Sequence, residues 1–160
     1  MTWKVRKSTR HQKIIGDYGE SLVCNWLSRS GFEVSIVDHT GIDIVAYNPE
    51  NKTRYGLTIK SRTRNVGKET THVNLFLAEE IKNIQEACNS FGCDEAWIVV
   101  YIETAKYADL FLVNLDHYLY NYYNNTKNVD WKMSKKYLDK YVSDENVLHL
   151  HMNFEAKKWL

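Results

Sequence analysis

The sequence has little of what marks the specialised chain classes. A single proline, Pro49, and seven glycines in 160 residues leave no Pro-, Gly- or Ser-rich stretch to serve as an interdomain linker. Three cysteines, Cys24, Cys88 and Cys93, are too few and of the wrong parity for a disulfide framework. Cys88 and Cys93 also lack a matching His/Cys pair, which argues against a structural zinc site. No apolar run approaches the roughly 20 residues that span a bilayer as a helix. The basic start, Met1 to Lys7, has no apolar core of the kind a signal peptide carries. A reducing, cytoplasmic location is the expectation, with no membrane partner.

A charge of one sign is missing too. Lys and Arg number 21 against 20 Asp and Glu, for a formal net charge of +1, which argues against a dedicated polybasic nucleic-acid binder. The average hides a division. Residues 1–70 hold 12 Lys/Arg and 7 Asp/Glu, whereas residues 71–160 hold 9 and 13. Such asymmetry between halves points toward a polyanionic partner for the first half. With 44% hydrophobic and 26% charged residues, the chain reads as one folded globular unit. Residues 1–13 form a basic arm (Lys4, Arg6, Lys7, Arg10, Lys13), with Trp3 and His11 as further groups able to touch nucleic acid, and residues 14–160 form a single domain.

Periodicity supplies the elements. Ile15, Tyr18, Leu22 and Trp26 recur at helical spacing between Ile14 and Ser30, and Gly31 stops the helix. Short strands are expected at Glu33–Val37 and Gly41–Tyr47, and Thr53–Arg62 returns after the turn residues Asn48 to Lys52 as an antiparallel partner. A second helix spans Ala78–Phe91, with Ile81, Ile84, Cys88 and Phe91 on one face. The continuous apolar run Ala96–Ile102 marks a strand covered on both faces, with Trp97 in the core. Leu110–Leu115 is another strand, and Asp116 is positioned to cap a helix carrying Tyr118, Leu119, Tyr122 and Tyr123 inward. Val147–Met152 closes the chain as an edge strand. The fold class is α/β, with helices on a mixed sheet. His149 and His151 share a strand face, but a lone i, i+2 pair without a third ligand reads as packing or surface.

The chemistry gathers in residues 16–64. Glu20 stands on the first helix, Asp43 at the start of a strand, and Lys60 on the next strand of the hairpin, which would set Asp43 and Lys60 side by side. Carboxylates with a lysine at one sheet edge suit a hard divalent cation and a phosphate. The ordered set Gly16-Asp17-Tyr18-Gly19-Glu20, Gly31-Phe32-Glu33-Val34, Gly41-Ile42-Asp43-Ile44-Val45-Ala46 and Leu57-Thr58-Ile59-Lys60-Ser61-Arg62 resembles the PD-(D/E)XK nuclease superfamily, in particular its Holliday-junction resolvase-like branch. The match covers roughly the first 65 residues.

The resemblance implies a restriction-endonuclease-like three-layer sandwich with a central mixed sheet, and a metal-dependent endonuclease hydrolysing phosphodiester bonds in DNA, with RNA as an alternative substrate. It makes Asp43, Glu20 and Lys60 catalytic, with Mg²⁺ (or Mn²⁺) held by Asp43, Glu20 and the backbone carbonyl of Ile59. Ser61, Arg62, Arg64, Lys68 and Arg10 would meet nucleic acid, and a homodimer is the expected assembly. One position departs from the pattern: Thr58 stands where the family places an acid, lining the site with a neutral hydroxyl. Two readings therefore stay open, an active nuclease and a degraded nuclease frame that binds nucleic acid or a protein without cutting.

Overall fold

A computed structural model describes residues 4–158, so Trp3 of the basic arm lies outside the described residues. Helix α1 spans His11–Ser28 and is followed by strands β1 (Glu33–His39), β2 (Ile42–Asn48) and β3 (Thr53–Thr63). Next come a short strand β4 (Val73–Leu77), helix α2 (Ile81–Ser90), and strands β5 (Glu95–Glu103) and β6 (Tyr107–Asn114). Helix α3 (Leu115–Asn121), strand β7 (Asn128–Trp131), helix α4 (Lys135–Ser143) and strand β8 (Val147–Asn153) complete the chain. The main sheet has six strands in the order β1-β2-β3-β5-β6-β8, while β4 and β7 form a separate two-stranded ribbon. Within the main sheet β3 and β5 run parallel and the other neighbours antiparallel. The expected mixed sheet flanked by helices is therefore what forms.

Alternation along β5 divides the core in two. Val99 and Tyr101 face α1 and pack with Ile15, Val23, Ile44 and Leu57. Ile98, Val100 and Ile102 face the opposite side and pack with α2, α3, α4 and the β4–β7 ribbon. A strand flanked this way is apolar at every position, which is why Ala96–Ile102 stood out as a continuous run. On the second face Trp131 stacks on Tyr141 at 4.1 Å and meets Phe111 at 5.2 Å. Rings of this size dominate core energetics.

Several elements differ from the sequence expectation. The first helix begins at His11, so Lys13 belongs to it, and it ends at Ser28. Asn114, not Asp116, caps α3: its side chain accepts from the amides of Asp116 and His117. Asn has the short carboxamide that an N-cap needs, and it sits one residue before the helix. Tyr122 and Tyr123 pack on the core from just beyond α3, while Tyr120 is exposed. Trp97 is only half-buried, its indole N–H donating to Glu95 at 2.8 Å. Strands β4 and β7 and helix α4 were not expected at all.

Candidate active site

Strands β2 and β3 stay paired from Asn48 opposite Thr53 to Ile44 opposite Leu57. Past that pair the ladder gives way to a side chain: Asp43 Oδ2 accepts the Ile59 N–H at 2.7 Å. A strand residue projects its N–H and C=O toward the same neighbour. The Ile59 carbonyl therefore also faces β2, alongside Asp43. The sequence expectation that Asp43 stands beside Lys60 needs correction. Antiparallel register places Asp43 across from Thr58 and Ile59, with Lys60 the next residue along. The Lys60 charge still acts on Asp43, drawing its carboxyl down.

Burial is the larger influence. It pushes the Asp43 carboxyl above the usual carboxylate range, and the negative charge of Asp38 pushes the same way, against the Ile59 amide and Lys60. Glu20, half-buried on α1, is also raised, first by burial and then by the charges of Asp43, Asp38 and Asp17. The charges of Asp43 and Asp38 thus reach Glu20, and that of Asp38 reaches Asp43. A positive ion placed among them would relieve that repulsion. Their oxygens do not converge to within 4.8 Å of one another; among the described residues the His/Asp/Glu/Cys group whose ligand atoms do lies elsewhere in the sheet.

Sequence reasoning missed Asp38. It is exposed near the end of β1, at the irregularity of the β1–β2 ladder between Ile36 and His39, with a left-handed backbone (φ 43°), where Asp and Asn are tolerated. The signal available was an acid close before the Thr40–Gly41 turn and Asp43, which reads as ordinary turn chemistry until the irregular end of β1 is known.

Thr58 is buried, and its hydroxyl donates to the Gly41 carbonyl at 2.6 Å. Gly41 has a φ of +103°, and a Cβ there would fall 2.5 Å from the backbone oxygen of Asn83 in α2. Only glycine fits, and the Thr58 hydroxyl ties this turn to β3. Thr58 therefore lines the base of the hairpin while serving its geometry.

Alternation along β3 sorts the remaining candidates. Leu57, Ile59, Ser61 and Thr63 face α1, whereas Thr58, Lys60 and Arg62 pair with Ile98, Val100 and Ile102 and share their face. Ser61 is consequently buried, its Oγ without a partner, beneath Gly19, where a Cβ would come within 1.9 Å of that oxygen. This corrects its expected place against phosphate; Ser61 instead marks the closest approach of α1 to β3. Arg62 donates to the Ser61 carbonyl at 2.8 Å and reaches Asn74. Arg64 donates to the His72 carbonyl at 2.9 Å, and burial together with Arg62 lowers its pKa. Lys68 and Arg10 are exposed. Arg10 precedes α1, where His11 bonds Thr63 at 2.6 Å and fixes the helix start over the end of β3.

No family model and no curated protein sequence matches the chain. Among solved structures it is similar to Hjc of Archaeoglobus fulgidus, described as a Holliday junction resolvase from an archaeal hyperthermophile, with a TM-score of 0.51 and 18% identity over 70% of this chain and 86% of that one. At this identity the likeness is one of fold. It shows the mixed sheet and flanking helices to be the arrangement of that resolvase, and among the described residues no helix is long and apolar enough to cross a membrane.

Proposed function

We propose that the protein is a Mg²⁺-dependent nuclease of the PD-(D/E)XK type that hydrolyses phosphodiester bonds in DNA. The observation that carries this reading is the half-buried Asp43 carboxylate at the point where the β2–β3 ladder opens. It is raised by burial and by Asp38, it has the Ile59 backbone beside it, and Lys60 is close enough to act on its charge. Likeness of fold to a Holliday junction resolvase supports it from an independent direction.

The residues present fit a hard cation, because the donors are carboxylate and carbonyl oxygens. Asp43, Glu20 and the Ile59 carbonyl would hold Mg²⁺ (or Mn²⁺), with Asp38 adding negative charge. When bound, the ion polarises a phosphoryl oxygen and lowers the pKa of a coordinated water. Lys60 places its ammonium where negative charge develops on the phosphate and orients the scissile group. Arg62, Arg64, Lys68 and Arg10 hold the backbone of the nucleic acid in register without reading sequence. A homodimer would present two such sites to two strands.

A second reading rests on Thr58. With its proton committed to Gly41, the site has one anion fewer than the family pattern, so the frame would bind nucleic acid without cutting. The two readings separate in one assay: cleavage of plasmid and four-way-junction DNA in Mg²⁺ and Mn²⁺ by wild type, Lys60→Ala and Thr58→Glu. Cutting by wild type that Lys60→Ala abolishes supports the nuclease. Silence in wild type with cutting by Thr58→Glu supports the degraded frame. Silence in all three, with DNA still bound, overturns the catalytic assignment.

A further inference from the structure

The closest convergence of metal-binding side chains in the described residues lies away from Asp43. Strands β6 and β8 pair so that Asp109 faces His151 directly and Phe111 faces His149. The two histidines and Asp109 therefore share one face of the sheet. Asp109 Oδ1 lies 2.7 Å from His149 Nε2 and 2.7 Å from His151 Nδ1. All three ligand atoms fall within 4.8 Å of one another. Asp109 is itself buried, while the histidines on the edge strand reach solvent.

The rings are held in place. His149 stacks on Phe111 with centroids 4.4 Å apart and planes 12° from parallel. His151 packs on Tyr107 at 5.5 Å. Its far nitrogen, Nε2, lies 3.2 Å from Asn153 Oδ1, an acceptor suited to an Nε2–H, and in the neutral imidazole of that tautomer Nδ1 carries the lone pair. That lone pair then points at a carboxylate oxygen. Two acceptors at this distance require a positive centre between them, either a proton or a metal ion. A ligating histidine whose second N–H is fixed by a carbonyl is the usual outer-shell arrangement of a metal site.

We propose that Asp109, His149 and His151 form a three-ligand site for a divalent transition-metal ion of the Zn²⁺ class. Two imidazoles and one carboxylate suit Zn²⁺ and its neighbours rather than Mg²⁺. Three protein ligands leave a fourth position open to water or a substrate atom, the pattern of reactive zinc sites rather than closed structural ones. Tetrahedral Zn²⁺ with ligands near 2.0–2.1 Å spaces its ligand atoms by about 3.3 Å. The histidines need to withdraw by about half an ångström, which solvent-facing side chains on an edge strand can do. From the sheet register, the site lies three strands and about four residues from Asp43, on the order of 20 Å away. It is thus distinct from the proposed Mg²⁺ position.

The test is a calorimetric titration of Zn²⁺ into the full chain and into His151→Gln, Asn153→Ala and Asp43→Asn, each checked for folding by circular dichroism. Wild type should take up one equivalent. His151→Gln should lose at least ~10-fold in affinity and Asn153→Ala about 10-fold, the scale of outer-shell losses. Asp43→Asn should be unchanged. On wild type alone, Co²⁺ should give visible bands of a low-symmetry four-coordinate centre, without the thiolate charge-transfer band that Cys88 and Cys93 would produce. No stoichiometric Zn²⁺ uptake, equal affinity in His151→Gln, or a thiolate band would each overturn the proposal.

Discussion

Asp43 and Asp109 sit on the same sheet and meet opposite fates. Both are taken largely out of water. Asp43 receives one backbone amide and a more distant Lys60, and its carboxyl is pushed up. Asp109 receives two imidazole nitrogens at 2.7 Å, and despite burial its carboxyl is held below the ordinary value. Burial is the first influence at both sites, so the neighbours decide the sign. A carboxylate raised above its normal range carries a cost of ionisation that a bound cation would offset. One held low by its own partners contributes stability.

The largest effect that would break this contrast concerns activity. Lys60→Ala should reduce DNA cleavage by about 10²-fold or more, because in the proposed nuclease it removes the charge that would meet the phosphate, with little change in melting temperature. Single-turnover rates on a branched substrate read this directly. The next effect is on stability. Asp109→Asn should destabilise the protein by about 1–3 kcal/mol at pH 6, measured by urea unfolding, since it removes the charge that two imidazole nitrogens meet at 2.7 Å.

The pH dependence follows with a definite sign. Asp109 is held below 3.8, so its contribution is present above that value and disappears as pH falls through the lowered one. His151 is raised above 6.5, so its contribution is complete below 6.5 and is lost as pH rises through the raised value. The bridge is fully formed between these limits. Asp43→Asn should act the other way. A carboxyl raised in the folded state favours folding when protonated, so the amide should stabilise at neutral pH by up to about 1 kcal/mol. That gain should vanish as pH falls below the carboxylate range, because wild type is then neutral as well. The smallest effect is expected at Arg10: Arg10→Ala should lower the salt dependence of DNA binding by less than one counterion equivalent, as fluorescence anisotropy at several salt concentrations would show.

The same contrast explains what could be read from the chain. Asp43 was legible because it interrupts a strand sequence, Ile42 to Ala46, where acids are rare, and because Lys60 follows on the paired strand. The two-faced β5 was legible as an apolar run. Asp109 was not, since it meets His149 and His151 only through a register that spans 40 residues of chain. The β4–β7 ribbon escaped because Val73-Asn74-Leu75 and Val129-Asp130-Trp131 are too short for alternation to separate a strand from a loop. Helix α4 carries only Tyr137, Leu138 and Tyr141 inward, a stripe too narrow to announce itself. Ser61 was misplaced for a different reason: position after the lysine suggested phosphate, while strand alternation sends it under Gly19.

In the proposed nuclease Asp43 is the carboxylate that takes the hard cation. A calorimetric titration of Mg²⁺ into wild type, Asp43→Asn and Asp109→Asn tests it most directly. Mg²⁺ binding should be lost in Asp43→Asn and retained in Asp109→Asn. Binding that survives intact in Asp43→Asn would contradict it.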